Sequence, residues 1–190
     1  QTVFIPPTSS LTVGNYAFSG CTALKQVGLP ASGTFGKELF KNCSKLDTIY
    51  IISHEELYTF TPDDTAFKGI TATVYYPTGS CTVTTKKTGY GGTLTWTDVA
   101  EGMCGSNVFW SYDENTKTLS FTGNGKVSYS YRSGYFTPWE NYNSSIETIT
   151  VGSGITGIGP YAFEYCENVE TVTLPETLTA LNANAFASCS

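Results

Sequence analysis

One short pattern recurs in this chain, and such a repeat constrains the fold more strongly than composition does. The segment 21–30 reads CTALKQVGLP and the segment 166–175 reads CENVETVTLP, so both follow C-x-x-L/V-x-x-V-x-L-P. A third copy starts at Cys43 and has Ile52 in place of the proline. A phenylalanine stands three residues before each cysteine, and another such pair begins a further copy near the end: Phe18, Phe40, Phe163, and Phe186 with Cys189.

The spacing of these phenylalanines fits stacked coils. Successive copies lie 22 (18 to 40), 27 (40 to 67) and 23 (163 to 186) residues apart, inside or close to the range of about 20–29 residues for leucine-rich repeats. Within each copy the V-x-L step predicts a short strand with alternate residues pointing inward, and glycine or proline ends it. A single coil cannot bury its own apolar face, so we expect the coils to stack into a solenoid.

The segments 13–24 (VGNYAFSGCTAL) and 158–169 (IGPYAFEYCENV) carry a family resemblance. They resemble the BspA-like leucine-rich repeats, and the resemblance covers roughly residues 1–76 and 146–190. It implies a curved solenoid on the outside of a bacterium or host-associated microbe, with roles in adhesion and binding. Two copies depart from the family pattern: Gly36–Phe40 replaces the usual Ala-Phe step, and Ile70 stands where a cysteine is expected.

The repeat disappears between about residues 79 and 143, and this middle part is typical of β-hairpins. The segments 82–85 and 92–96 look like strands that close the first solenoid as a terminal cap. The segments 107–112 and 118–122 have strand character and flank the polar turn 113–117. We therefore predict a β-rich leucine-rich-repeat solenoid of two short arrays separated by β-hairpin cap segments. Residues 1–97 would be coils and cap of a first array, 98–145 the N-terminal cap of a second, and 146–190 its first coils. The pattern after Cys189 calls for another strand, so we expect the natural protein to continue.

Charge and hydropathy limit the classes of binding partner and the cellular location that the chain can have. The formal charge is −6, with 10 Lys and Arg among 190 residues, which argues against nucleic acid or an anionic membrane as the main partner. The chain has no apolar run of about 18 residues, so we expect no membrane span in it. Abundant Thr, Ser, Asn and Tyr, with a single His, are common in exported β-rich proteins. We expect an extracellular or cell-surface location, with extracellular proteins, matrix or glycans as partners.

The cysteines permit two interpretations. Four of the six occupy one repeat position (Cys21, Cys43, Cys166 and Cys189), which predicts buried, reduced thiols that act as small apolar side chains. Cys81 and Cys104 lie outside the pattern. They could bridge the two caps or remain free.

Three other segments partly match nucleotide-binding, zinc-binding or calcium-binding motifs, but each lacks residues or local structure that the motif requires. The segment 152–157 (GSGITG) matches G-x-G-x-x-G, but Gly159-Pro160 follows at once where a nucleotide-binding helix would have to continue. The segment 54–56 (HEE) with Asp63 and Asp64 could supply metal ligands, or form an acid–base set with Glu38. The chain has only one histidine and no second cluster of Cys or His, which leaves a catalytic zinc site short of ligands. The turn 113–117 lacks the glycine and glutamate of a calcium loop. We therefore expect no enzyme activity, cofactor or metal, although carboxylates from different coils could meet without a motif.

A run of aromatic residues between 129 and 142 is the strongest candidate for a binding patch: Tyr129, Tyr131, Tyr135, Phe136, Trp139 and Tyr142. If exposed, these rings could bind sugars or partner proteins. Alternatively, they pack inside the cap and cover the first coil. The sequence thus predicts a non-catalytic cell-surface scaffold that binds protein or matrix through a solenoid face, with a glycan-binding module built on 129–142 as the alternative.

Overall fold

The computed structural model describes residues 1–6, 11–31, 33–52, 60, 62–77, 89–128 and 137–189. The chain divides into two compact units, Gln1–Val99 and Ala100–Ser190. The predicted cap 98–145 and second array 146–190 both fall almost entirely within the second unit. Among the described residues, no helix is long and apolar enough to cross a membrane.

Short strands make up most of the regular structure. Those of the first unit are β1 (Thr2–Phe4), β2 (Thr12–Val13), β3 (Gln26–Pro30), β4 (Thr34–Phe35), β5 (Thr48–Ile52), β6 (Thr71–Pro77) and β7 (Thr93–Val99). Those of the second unit are β8 (Glu101–Gly105), β9 (Val108–Asp113), β10 (Thr118–Gly123), β11 (Gly125–Val127), β12 (Thr148–Val151), β13 (Ile155–Ile158), β14 (Thr171–Thr173) and β15 (Ala180–Leu181). Single 3-10 turns lie at Gly89–Gly91 and Glu140–Tyr142.

The main sheet of the first unit is parallel and follows the repeat. Its strand order is β1-β3-β5-β6-β7, and equivalent repeat positions lie side by side, with Val27 beside Ile49 and Ile49 beside Val74. These three side chains are at most 1% exposed. Alternate strand residues therefore point into the coil, as the V-x-L pattern predicts.

The turn that precedes each strand forms a second ladder between coils. Phe18 N–H donates to the Leu39 carbonyl at 3.0 Å, and Phe163 N–H donates to the Ala185 carbonyl at 2.8 Å. The phenylalanine rings stack in the same order, with centroids 5.4 Å apart for Phe18 and Phe40, 5.6 Å for Phe40 and Phe67, and 4.8 Å for Phe163 and Phe186. The spacing of three residues between Phe and Cys closes a turn, because Cys43 N–H donates to the Phe40 carbonyl.

The second unit combines an antiparallel cap with parallel coils. Strands β8, β9 and β10 pair antiparallel, and β10 then pairs parallel with β12, which pairs parallel with β14. A smaller parallel sheet follows the order β11-β13-β15. The cap thus supplies the first strand against which the coils of this unit stack, and the predicted turn 113–117 lies between β9 and β10.

The predicted closing strand 92–96 is found, from Thr93 on, as part of β7, but the prediction of hairpin pairing is wrong for β7 and for β11. Strand β7 pairs parallel with β6, and β11 pairs parallel with β13. Both strands continue the stacking direction of the coils, whereas a hairpin requires antiparallel neighbours. The predicted strand at 82–85 lies outside the described residues.

Candidate functional site

The outer face of the main sheet in the first unit includes two neighbouring rows of residues. Because strand residues alternate, the positions between the buried ones point outward. One row follows the strand register through Gln26, Thr48, Thr73 and Thr95. The next row follows it through Gly28, Tyr50, Tyr75 and Thr97. The face therefore carries hydroxyl groups beside an aromatic pair.

Tyr50 and Tyr75 stack on each other at the centre of this face. Their ring centroids are 5.4 Å apart and the ring planes differ by 25°. Each side chain is half-buried, so part of each ring stays accessible while the strands fix its position. A paired, preorganised aromatic surface suits recognition because little conformational freedom is lost when a partner binds.

The main sheet of the second unit offers a contrasting outer face. Its register places Thr118, Thr148 and Thr171 in one row, and Ser120, Thr150 and Thr173 in the next. Both rows carry only hydroxyl side chains at these positions. The aromatic pair is therefore a feature of the first unit. Each tyrosine directly follows a buried strand residue, Ile49 or Val74, and points to the opposite face. Sequence reasoning overlooked it, although the alternation within T-I-Y-I and T-V-Y marks both tyrosines as outward.

The structure places Trp139 of the predicted aromatic patch in the core. Its side chain is 0% exposed, and its indole N–H donates to the Ala162 carbonyl at 2.9 Å. Its ring meets Phe121 edge to face at a centroid distance of 5.0 Å and lies 6.1 Å from Phe163. Trp139 thus covers the phenylalanine of the first coil, and its ring is not available to a sugar or a partner protein.

Tyr142 has an intermediate position. It is half-buried and stacks on Tyr112 with a centroid distance of 4.5 Å, and the Tyr112 hydroxyl donates to the Ser145 carbonyl at 3.2 Å. These contacts are typical of packing between the cap and the first coil. Tyr129, Tyr131 and Tyr135, together with Phe136, lie outside the described residues. Of the predicted patch, only Trp139 and Tyr142 lie within the described residues, so a surface formed by the others stays a prediction.

The repeat cysteines are free thiols in environments that differ along the stack. Cys43 and Cys166 are buried, whereas Cys189 is half-buried and Cys21 is exposed. Burial raises the pKa of Cys166 to about 12. The thiols of Cys43 and Cys189 donate to the phenylalanine carbonyl of the preceding coil, at 3.0 Å and 3.2 Å. The expected burial of Cys21 is wrong because its turn is the first in the described stack.

Cys104 is also a free, buried thiol, and burial raises its pKa well above the ordinary value. No bridge from Cys104 forms, and Cys81 lies outside the described residues. A thiol with a raised pKa carries little thiolate at neutral pH, so it is a poor nucleophile.

The remaining motifs adopt structural roles. After the glycines at 152–154, Ile155–Ile158 forms strand β13, where a nucleotide-binding site would need a helix. The Asp113 carboxylate accepts the backbone N–H groups of Asn115 and Thr116, and these bonds lower its pKa. In the described part of the chain, no three His, Cys, Asp or Glu side chains are grouped so that they could hold a metal. The segment 54–56 lies outside it.

Comparison with protein families matches residues 1–73 and 139–190 to the BspA type leucine-rich repeat region, a family described with six copies. The two matched stretches correspond to the coils of the two units, and the unmatched stretch includes strands β7 to β11. A comparison with curated proteins found no significant match.

Two solved structures resemble the chain. A leucine-rich repeat protein from Eubacterium ventriosum is 29% identical with a TM-score of 0.41, over 45% of this chain and 22% of that protein. A leucine rich cell surface protein from Faecalibacterium prausnitzii is 14% identical with a TM-score of 0.30, over 99% of this chain and 73% of that protein. The chain therefore spans less than a quarter of the Eubacterium protein.

The family match extends over well over half of the chain. Its stretches contain the Phe-x-x-Cys turns and V-x-L strands that stack in the structure, so the predicted solenoid fold is confirmed. The chain belongs to the BspA-type leucine-rich repeat family.

Proposed function

We propose that the chain is a non-catalytic scaffold on the bacterial cell surface that binds extracellular protein or matrix through the outer sheet face of its first unit. The observation that carries this proposal is the stacked pair Tyr50 and Tyr75, flanked by outward hydroxyl groups. Membership of a family of repeat proteins and a composition rich in hydroxyl residues support the surface location.

The chemistry of this face fits protein recognition. Tyrosine combines a large apolar ring with a polar tip, and it is enriched at binding hot spots. Thr48 and Thr73 lie in the neighbouring row and can supply hydrogen bonds around the rings. Parallel strands about 4.8 Å apart hold both rows at a fixed spacing, so a partner meets a rigid surface.

The test uses the full chain and immobilised laminin and type IV collagen as probes. We expect wild-type binding to at least one probe and a loss of about 30-fold or more in affinity for the double variant Tyr50→Ser, Tyr75→Ser, since truncation of even one hot-spot residue costs about 2 kcal/mol. Surface plasmon resonance measures the affinity, and urea unfolding shows whether the variant folds.

The matched control is Tyr165→Ser, because Tyr165 is 48% exposed and belongs to the second unit. This variant should bind like the wild type. Unchanged binding of a folded double variant would show that the tyrosine pair is not the binding surface. Absence of wild-type binding to both matrix proteins would contradict the proposal as a whole.

A further inference from the structure

A groove of about 400 Å³ lies on the turn side of the first unit, between the coil of Phe40 and the coil of Phe67. Its lining residues are Glu38, Lys41, Asn42, Cys43, Ser44, Lys68, Gly69 and Ile70. The groove contains neither Tyr50 nor Tyr75, so it is separate from the outer sheet face. Its volume lies in the lower part of the range of small-ligand pockets, about 300–1,000 Å³.

Glu38 pairs with two lysines in the lining of this groove. Its backbone has a φ of 43°, a left-handed conformation that is uncommon for residues other than glycine. Its side chain is 16% exposed and its carboxylate lies 2.6 Å from Lys41 Nζ and 3.3 Å from Lys68 Nζ. Hydrogen bonds from Lys41 and then Lys68 lower the pKa of Glu38, so the carboxylate stays ionised at neutral pH.

The two lysines outnumber the carboxylate between them. Each ammonium has three N–H donors and contacts Glu38 with only part of that capacity. The Lys41 and Lys68 side chains remain 50% and 62% exposed. The groove therefore presents donors and a net positive charge to solvent, within a chain whose formal charge is −6. An oxyanion is the ligand group that this arrangement favours.

An exposed aromatic ring adjoins the charged groups. Tyr16 is 50% exposed, and Lys41 Nζ lies 5.7 Å from its ring centroid. Asn42 and Ser44 add polar groups to the lining. A sugar that carries an acidic group offers an oxyanion, hydroxyl groups and an apolar ring face, which match these three features together. An acidic peptide side chain would use only the lysines.

We propose that the groove between the Phe40 and Phe67 coils binds an acidic polysaccharide, with Lys41 and Lys68 on its carboxylate or sulfate group and Tyr16 against a neighbouring sugar ring. Glu38 acts as a positioning residue, because it fixes the two ammonium groups without contacting the ligand's anion.

The experiment measures binding of the full chain to heparin, hyaluronan and poly-glutamate by isothermal titration calorimetry at low salt. We expect Lys41→Ala and Lys68→Ala each to weaken polysaccharide binding by about tenfold, the effect of losing a charge-assisted hydrogen bond. Tyr16→Ala should weaken it as well, and added salt should weaken it further. Binding of hyaluronan identifies the carboxylate as sufficient, whereas binding of heparin alone identifies sulfate as the anion recognised.

Two controls separate binding from charge and folding. Lys25→Ala removes the same charge from an exposed lysine of the same unit that does not line the groove, and it should bind like the wild type. Lys68→Arg should retain binding because it keeps the charge. Unchanged binding in a folded Lys41→Ala, Lys68→Ala variant would overturn the proposal. So would the absence of polysaccharide binding, or poly-glutamate binding that is equally tight and independent of Tyr16.

Discussion

Replacement of Phe40 by alanine should lower the free energy of unfolding of the first unit by about 3–5 kcal/mol, the usual cost of removing a large buried aromatic side chain. Phe40 is 0% exposed and its ring stacks between those of Phe18 and Phe67. The substitution would leave a cavity that two neighbouring coils share. Equilibrium urea unfolding of the full chain, followed by circular dichroism, measures the change.

Phe18→Ala provides a graded control at the equivalent repeat position. Phe18 is only half-buried, so less apolar surface returns to water and the loss should be smaller than for Phe40→Ala. Equal losses at the two positions, or a loss below about 0.5 kcal/mol at Phe40, the range of ordinary surface substitutions, would contradict the stacked phenylalanine ladder.

Trp139→Ala should destabilise the second unit by a similar amount, about 3–5 kcal/mol. The substitution removes a fully buried ring from its contacts with Phe121 and Phe163 and leaves the Ala162 carbonyl without its indole donor. Trp139→Phe should cost less, because it keeps an aromatic ring in the cavity and loses mainly the hydrogen bond, about 1–3 kcal/mol.

Tyr165→Ala is the corresponding surface control in the second unit, since its ring is 48% exposed. It should change the free energy of unfolding by no more than about 0.5 kcal/mol. If Trp139→Ala behaved like Tyr165→Ala, Trp139 would lie on the surface, and the burial described above would be incorrect.

The solenoid could be predicted from sequence because its signals are local and repeated. The spacing of three residues between Phe40 and Cys43 closes one turn, and the alternation of Val27 and Leu29 defines one strand. Each signal recurs with the period of the coil, so the stacking of equivalent positions follows from the repeat itself. The burial of Cys43 and Cys166 could be predicted because both occupy the cysteine position of the repeat.

The parallel pairing of β7 with β6 could not be derived in this way. It joins Thr71 to Thr93 and Pro77 to Val99, and no repeat relates these residues to each other. Parallel strands need a long connection, and the sequence of that connection does not specify the direction of pairing. Strand and turn signals from neighbouring residues alone therefore favoured antiparallel hairpins for this segment.

The candidate site was predicted only in outline. The sequence indicated a solenoid face as the binding surface, and the structure identifies Tyr50 and Tyr75 as an aromatic pair on such a face. The sequence alone left the aromatic residues 129–142 open between packing and binding, because exposure depends on which coil they cover. The contacts of Trp139 with Phe163 and the Ala162 carbonyl show that this residue packs in the core.

The most direct test of the central claim is a methyl NOE experiment on the full chain, with Val27, Ile49 and Val74 labelled. The parallel register places Val27 beside Ile49 and Ile49 beside Val74, on strands about 4.8 Å apart. Stacked coils therefore predict cross-peaks for both pairs. Their absence, or a register shifted by one residue that turns Ile49 outward and Tyr50 inward, would contradict the solenoid and the binding face proposed on it.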